Sequence, residues 1–343
     1  MKVLVIRFSS IGDIVLTTPV LRCLKKQRPD VTVHYLVKPQ FKQVIAANPY
    51  IDQIHVLQDD WNKMIDELKA ENFDELIDLH HNLRTLRVKR GLGIKATSFN
   101  KLNIQKFIFV KLKWNVMPRV HIVDRYLETV RHLGVVNDGL GLDHFIADED
   151  KVKASDIPAS HSAGYIALVI GASFYTKKLP TYKLQELCRI INHPIILLGG
   201  KEEQEEGDAV ASVDLIKVYN ACGKFKLNES ADLVRQARLV IAHDTGLMHM
   251  AAALKRPVIA VWGSTTPSFG MVPYYGDAYL RTAAKPYDDM QVHKLWCRPC
   301  TKIGRHKCPQ GHFKCMNNLD MAQIAALVQQ RLGLPVAGRL SGA

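Results

Sequence analysis

Nowhere in the 343 residues does an apolar run approach the roughly 20 residues that a membrane-spanning helix needs, so no such helix is expected. The Gly-x-Gly-x-x-Gly fingerprint of dinucleotide folds and the Walker phosphate loop are both missing, which weakens hydride transfer and P-loop chemistry as readings. Gly91-Leu92-Gly93 is no substitute, because it does not follow a strand pattern. Seven cysteines, an odd number, argue against a secreted disulfide scaffold. The apolar core of Met1–Phe8 is too short for a signal peptide and is interrupted by Arg7, so a cytoplasmic chain is expected. Acid is scarce as well: 33 Asp and Glu stand against 46 Lys and Arg, a formal charge of +13. Between Arg84 and Arg119 there is none, while ten Lys and Arg alternate with Phe99, Phe107, Ile108, Phe109 and Trp114. Such a stretch suits a phosphorylated or lipid-like surface. It also reads as a solvated helix face with some core aromatics. No nucleic-acid-reading motif accompanies the charge, so no nucleic-acid partner is expected.

What is present is a repeated alternation of short apolar runs and amphipathic segments. A chain of this length points to two domains, and 47% hydrophobic with 23% charged residues is a soluble globular composition. In the first half, strands are expected at Lys2–Phe8, Val31–Val37, Ile54–Leu57 and Phe73–Leu79. Helices are expected at Ile14–Lys26, Phe41–Ala47, Trp61–Ala70 and Val123–Leu133, with the basic stretch interrupting the alternation. Residues 139–162 lose periodicity, and the domain boundary falls there, giving 1–155 and 160–343. The second half repeats the alternation from Tyr165 to Trp262, and Asp320–Leu332 closes it as a helix. Both halves read as doubly wound parallel sheets.

In such sheets ligands sit beyond the C-terminal strand ends. Four of those ends carry polar or Gly-rich turns: Ser9–Asp13, Gly171–Lys178, Gly199–Glu202 and His243–Gly246. The last is the most pointed. Leu239–Ala242 reads as a buried strand, Asp244-Thr245-Gly246 as a turn, and Leu247–Leu254 as a helix whose free N-terminus is a ready anion site. Asp244 or Thr245 can cap that helix, and His249 shares the face nearest its start. An ordinary strand-to-helix connection gives the same pattern. Asp13 is the one carboxylate of the first turn, placed to take a proton from a hydroxyl or merely to cap a helix. Lys177 or Lys178 could neutralise a diphosphate or simply be solvated.

Arg7-Phe8-Ser9-Ser10-Ile11-Gly12-Asp13-Ile14-Val15-Leu16-Thr17-Thr18-Pro19 resembles the N-terminal motif of the family 9 glycosyltransferases, the lipopolysaccharide heptosyltransferases. Asp244-Thr245-Gly246-Leu247-Met248-His249 resembles that family's second signature, and Gly199-Gly200 and Trp262–Thr265 extend the likeness. Residues 85–120 carry no motif of the family. The resemblance implies a GT-B fold, two Rossmann-like domains facing across a cleft, acceptor on the N-terminal side and nucleotide sugar on the C-terminal side. It implies inverting transfer from ADP-heptose to an anionic, lipid-anchored inner-core saccharide, with no metal or other cofactor required for catalysis. Asp13 would be the base and Lys177 would meet the donor phosphates. Thr245, Gly246 and His249 would lie at the diphosphate, Asp244 nearer the sugar, and Ser173 and Glu202 among the donor contacts. Ser10, Gly12, Arg84 and Arg87 are placed on the acceptor side. The loop Gly171–Pro180 lacks the Trp expected before its Pro, which leaves Lys177 and Lys178 one slip apart. A monomer working at the inner membrane surface follows. The alternatives are another nucleotide-sugar donor, or a sugar-nucleotide epimerase of the same fold.

Cys297-x2-Cys300-x7-Cys308-x6-Cys315 remains. Four cysteines within nineteen positions suggest a structural zinc site, with free thiols or disulfides as the other readings.

Overall fold

The computed structural model describes residues 1–281 and 286–333; positions 282–285 and 334–343, the latter the end of the expected second domain, lie outside it. Two all-parallel sheets organise the chain. The first contains β1 (Lys2–Ile6), β2 (Thr32–Val37), β3 (Gln53–Val56), β4 (Glu75–Asp78) and β5 (Ala96–Ser98), in the order β3-β2-β1-β4-β5. The second contains β6 (Ile166–Val169), β7 (Ile195–Leu198), β8 (Val218–Asn220), β9 (Leu239–His243), β10 (Val258–Trp262) and β11 (Tyr287–Gln291), in the order β11-β10-β9-β6-β7-β8. The central strands are continuous apolar runs buried on both faces, as helix-covered parallel strands must be. Each strand order reverses direction once, between β1 and β4 and between β6 and β9. Those switch points open crevices at the C-terminal strand ends. The turns carrying Asp13, Lys177 and Asp244 follow β1, β6 and β9, so the topology alone brings them to the crevices.

Several expected elements take a different form. The helix expected over Ile14–Lys26 is two helices, Ile11–Val15 and Thr18–Gln27, because Pro19 supplies no N–H and starts a new helix rather than continuing the old one. Phe41–Ala47 is no α-helix; a 3-10 turn spans Pro39–Val44. The basic stretch does not interrupt the alternation but continues it, as helix Leu83–Leu92, strand β5 and helix Asn103–Leu112. Asn82 caps the first of these through bonds from Arg84 N and Thr85 N, and Gly93 ends it at φ 65°. Its charges masked the period, since of its residues only Thr85 and Val88 are buried.

The two sheets are joined by apolar packing. The core above β1 and β2, with Val3, Val5, Ile14 and Leu21, runs on into Met250, Ala252 and Tyr275 of the second half. Helix Ile11–Val15 meets helix Gly246–Ala253 at their first turns. A Cβ on Gly246 would stand 2.6 Å from Ile11 Cγ2, and one on Gly12 would stand 2.7 Å from His249 Cδ2. The two glycines are therefore the reason the helix starts can touch.

Candidate active site

The first half contributes a carboxylate held in place from three directions. Ser10 precedes helix Ile11–Val15, and Asp13 occupies its third position. The Ser10 hydroxyl donates to Asp13 Oδ2 at 2.8 Å and the Ser10 N–H to the same oxygen at 3.3 Å. Arg7 Nη2 lies 2.7 Å from Asp13 Oδ1. Arg7 is itself fixed, donating to Ser9 O, Leu79 O and the Tyr126 hydroxyl. Burial pushes the Asp13 carboxyl up, but the Arg7 guanidinium and the Ser10 bonds outweigh it and hold the group below the usual carboxylate range. Asp13 is thus ionised at neutral pH, with its position defined.

The second half supplies the opposing groups. Lys177 Nζ stands 2.8 Å from Asp244 Oδ2, and the Thr265 hydroxyl donates to that same oxygen at 2.9 Å. Lys178 is committed elsewhere, 3.2 Å from Glu203 Oε1 and 2.6 Å from Glu206 Oε2. The two adjacent lysines thus differ in their partners: Lys177 faces Asp244 and Lys178 faces Glu203 and Glu206. His243 accepts from Leu179 N at 2.9 Å and ties the lysine loop to β9. Burial pushes His243 down to about 3, and the neighbouring Lys178 and Lys177 act in the same direction. The ring is neutral and able to accept.

Asp244 does not cap the helix. Thr245 holds the cap position, with no side-chain bond to the first N–H groups of Gly246–Ala253. The Thr245 hydroxyl oxygen and His249 Nδ1 are buried and have no partner among the described residues. Buried polar atoms are rarely left so. Burial pushes His249 down to about 4 against the pull of Asp244 and Asp13, so it too is neutral. A helix start with a positive dipole end, an unpartnered hydroxyl, an imidazole nitrogen and a lysine can receive an anion.

The remaining candidates are placed unevenly. Gly12 sits at the junction with His249 and Gly246. Ser173 and Glu202 are exposed in the loops after β6 and β7. Arg84 is exposed on the first turn of its helix, and Arg87 stacks its guanidinium 4.6 Å over the Trp61 ring. The chain's one Asp-x-Asp triplet, Asp148–Asp150, lies in the connection between the halves, where Lys151 pairs with Asp148 and Asn228 donates to Asp150. All seven cysteines are free thiols. Cys297 Sγ lies 3.8 Å from His312 Nε2, and Cys315 is pushed up to about 12 by burial and by the other three thiols of the quartet.

A second cationic group went unnoticed in the sequence. Arg125, on helix Ile122–Leu127, is buried; Nη1 donates to Asn100 O at 3.0 Å, while Nε and Nη2 have no partner among the described residues. Lys106 is pushed down to about 8 by burial, then by Arg125 and Lys302. Lys101 is lowered by burial, Arg7 and Lys302. Asp13 is within electrostatic reach of both lysines. The lysines were visible in the basic stretch. Arg125 was hidden inside an apolar helical pattern, and Lys302 belongs to the distant cysteine loop.

The sequence matches the model of glycosyltransferase family 9 (heptosyltransferase) over residues 61–304. It is 28% identical to lipopolysaccharide heptosyltransferase 1 of Campylobacter coli across 97% of this chain and 99% of that one. Its fold superposes on a family 9 glycosyl transferase from Veillonella parvula with TM-score 0.74 at 23% identity, covering 96% of this chain and 97% of that one. It also superposes on the Escherichia coli heptosyltransferase WaaC with ADP-2-deoxy-2-fluoro heptose, with TM-score 0.68 at 20% identity, covering 96% and 99%.

Proposed function

The chain belongs to glycosyltransferase family 9, the heptosyltransferases, and from that premise we propose that it moves a heptose from ADP-heptose onto an anionic, lipid-anchored inner-core saccharide of lipopolysaccharide. The observation that carries this reading is the contact of the two helix starts, which brings Asp13 of the first half near the anion-ready turn Asp244–His249 of the second. A donor diphosphate at that turn has its charge met by Lys177, the helix N-terminus, the Thr245 hydroxyl and His249. Asp244 holds Lys177 in the free enzyme. When a diphosphate draws the lysine away, the carboxylate is left facing the sugar hydroxyls. Ser173 and Glu202 lie where their loops reach the rest of the donor.

The chemistry is a single displacement. Asp13 accepts the proton of the acceptor hydroxyl as its oxygen bonds to the anomeric carbon, and the bond from that carbon to the diphosphate oxygen breaks with its electron pair leaving on ADP. Attack from the first half and departure toward the second lie on opposite faces of the sugar, so the configuration inverts. Lys177 and the helix dipole compensate the leaving charge, the part a metal ion plays elsewhere. WaaC, solved with a fluorinated ADP-heptose, supports the donor. The residues 1–155 take the acceptor and 160–343 the nucleotide sugar.

The acceptor's anionic groups fit the cluster of Arg125, Lys106, Lys101 and Lys302, and Ser10, Gly12 and Arg84 are assigned to the same acceptor side. An arginine buried beside a single carbonyl is otherwise an uncompensated charge. Beside it, Ile104, Phe107, Leu112 and Trp114 are exposed among lysines, suited to the headgroup region of an inner membrane. No helix among the described residues is long and apolar enough to cross a bilayer.

Arg125→Gln tests the acceptor half. Loss of one or two charge-assisted bonds should raise the acceptor KM about 10–100-fold, on the basis of about 1.5–3 kcal/mol for such bonds, with ADP binding unchanged. The Tm should hold or rise, since an unpaired buried charge is removed. In the wild type, acceptor affinity should weaken as pH rises through about 8, where Lys106 loses its proton. A structural arginine would instead show a lower Tm and an unchanged KM.

A further inference from the structure

At the outer edge of the first sheet, two strands from the switch point, a second group of side chains converges that the transfer chemistry does not use. His34 lies on β2 and His55 on β3, and the register that pairs Leu36 with His55 puts both imidazoles on one face. His34 Nδ1 and His55 Nε2 are 2.8 Å apart. Glu71, the residue closing helix Trp61–Ala70, completes the set, and one ligand atom from each of the three lies within 4.8 Å of the others. It is the one such set of three among the described residues. We propose that His34, His55 and Glu71 bind a divalent transition-metal ion of the zinc type, tying together two strands and the helix end that covers them.

The donor set suits such an ion. Two imidazoles and one carboxylate leave a fourth position for water in a tetrahedral site. Two nitrogens bound at about 2.0–2.1 Å to one tetrahedral ion stand about 3.3–3.4 Å apart, so the 2.8 Å hydrogen bond between His34 Nδ1 and His55 Nε2 gives up its proton and opens by about 0.5 Å to admit the ion. Burial lowers both histidines, with His55 and Lys2 adding to the effect at His34 and Lys2 at His55, which leaves both rings as neutral ligands. Glu71, Asp52 and Glu67 favour a cation near the rings and Lys2 opposes it, with Asp52 already paired to Lys25 at 2.6 Å. Phe73 packs its edge on both rings, 5.1 and 6.0 Å between centroids, and restricts their orientation. Gln53 donates to Glu71 Oε1 at 3.1 Å, the kind of outer bond that orients a ligating carboxylate. Lys2 Nζ donates to Glu71 Oε2 at 2.9 Å. Lys2 and the metal thus compete for one oxygen.

Cobalt(II) titration of the full chain, followed by visible absorption, tests this. The expected result is one ion bound with weak d–d bands and no sulfur-to-metal charge transfer. His55→Gln and Glu71→Gln should each weaken binding by at least about 10–100-fold, while Lys2→Met, which frees the carboxylate, should tighten it. Circular dichroism of the three variants establishes that they fold, and His55→Gln should transfer sugar as the wild type does. Failure to take up cobalt, thiolate bands insensitive to His55→Gln, or binding unimproved by Lys2→Met would overturn the site.

Discussion

Asp13→Asn should slow sugar transfer by about 10²–10⁴-fold, the range that removing a general base commands, while ADP binds as it does to the wild type. The substitution keeps the shape of the side chain. An Asn oxygen can still accept from Arg7 Nη2, now 2.7 Å from Asp13 Oδ1, so the turn after β1 stays formed. What is lost is the proton acceptor and the countercharge of a buried arginine that otherwise meets Ser9 O, Leu79 O and Tyr126. Stability should therefore fall by about 1–3 kcal/mol, read as a lower Tm. The pH profile follows from sign. Asp13 has a depressed folded-state pKa, so it is the competent base throughout the neutral range, and the acid limb of kcat lies below the usual carboxylate range. The same depression means that the stability this pair contributes is present above the unfolded-state pKa and is lost as pH falls through the folded one. An acid limb near neutrality, or near-normal turnover by Asp13→Asn, would assign the base to another group.

Lys177→Gln should lower kcat by about 10²–10³-fold, because a donor to the developing charge of the leaving group acts chiefly in the transition state. Calorimetry should show weaker ADP binding in the same variant. Lys178→Gln provides the contrast. Its ammonium serves Glu203 and Glu206 and sits above its ordinary pKa because those carboxylates outweigh burial, so its loss leaves two like charges adjacent. That variant should lose stability and retain most of its kcat. Interchanged phenotypes would mean that the loop Gly171–Pro180 shifts by one residue when the donor binds.

The parts of this molecule that the sequence announced are those with a short-range physical signature. A buried parallel strand is a continuous apolar run, and a polar turn with glycine at its end marks the place where a helix start can receive a ligand. That is why Asp13, Lys177, Asp244 and His249 could be singled out and why the structure finds the turns that carry them at the two switch points. The choice between Lys177 and Lys178 depended on the partners of adjacent side chains, Asp244 in one case and Glu203 with Glu206 in the other, which lie 25 to 67 positions away. Arg125 was illegible for a different reason. A charged residue on an apolar helix is ordinarily solvent-facing, and only the fold reveals that this one is buried with two nitrogens lacking a partner among the described residues. Helices Leu83–Leu92 and Asn103–Leu112 were hidden by their own charges, since helices that bury one or two residues each leave little apolar period to read. Asp244 was expected to cap its helix or to reach the sugar. It pairs instead with Lys177 and accepts from the Thr265 hydroxyl, a bond it can keep when a diphosphate draws the lysine away.

The central claim, a single displacement between Asp13 and a diphosphate held by Lys177 and a helix start, is tested most directly by the product itself. Transfer from ADP-heptose to the lipid-anchored acceptor should be run in excess EDTA and the anomeric configuration of the new linkage read by nuclear magnetic resonance. Turnover should be undiminished, with complete inversion at the anomeric carbon. Retention of configuration, or a reaction that stops when divalent ions are removed and resumes when they are restored, would contradict the claim.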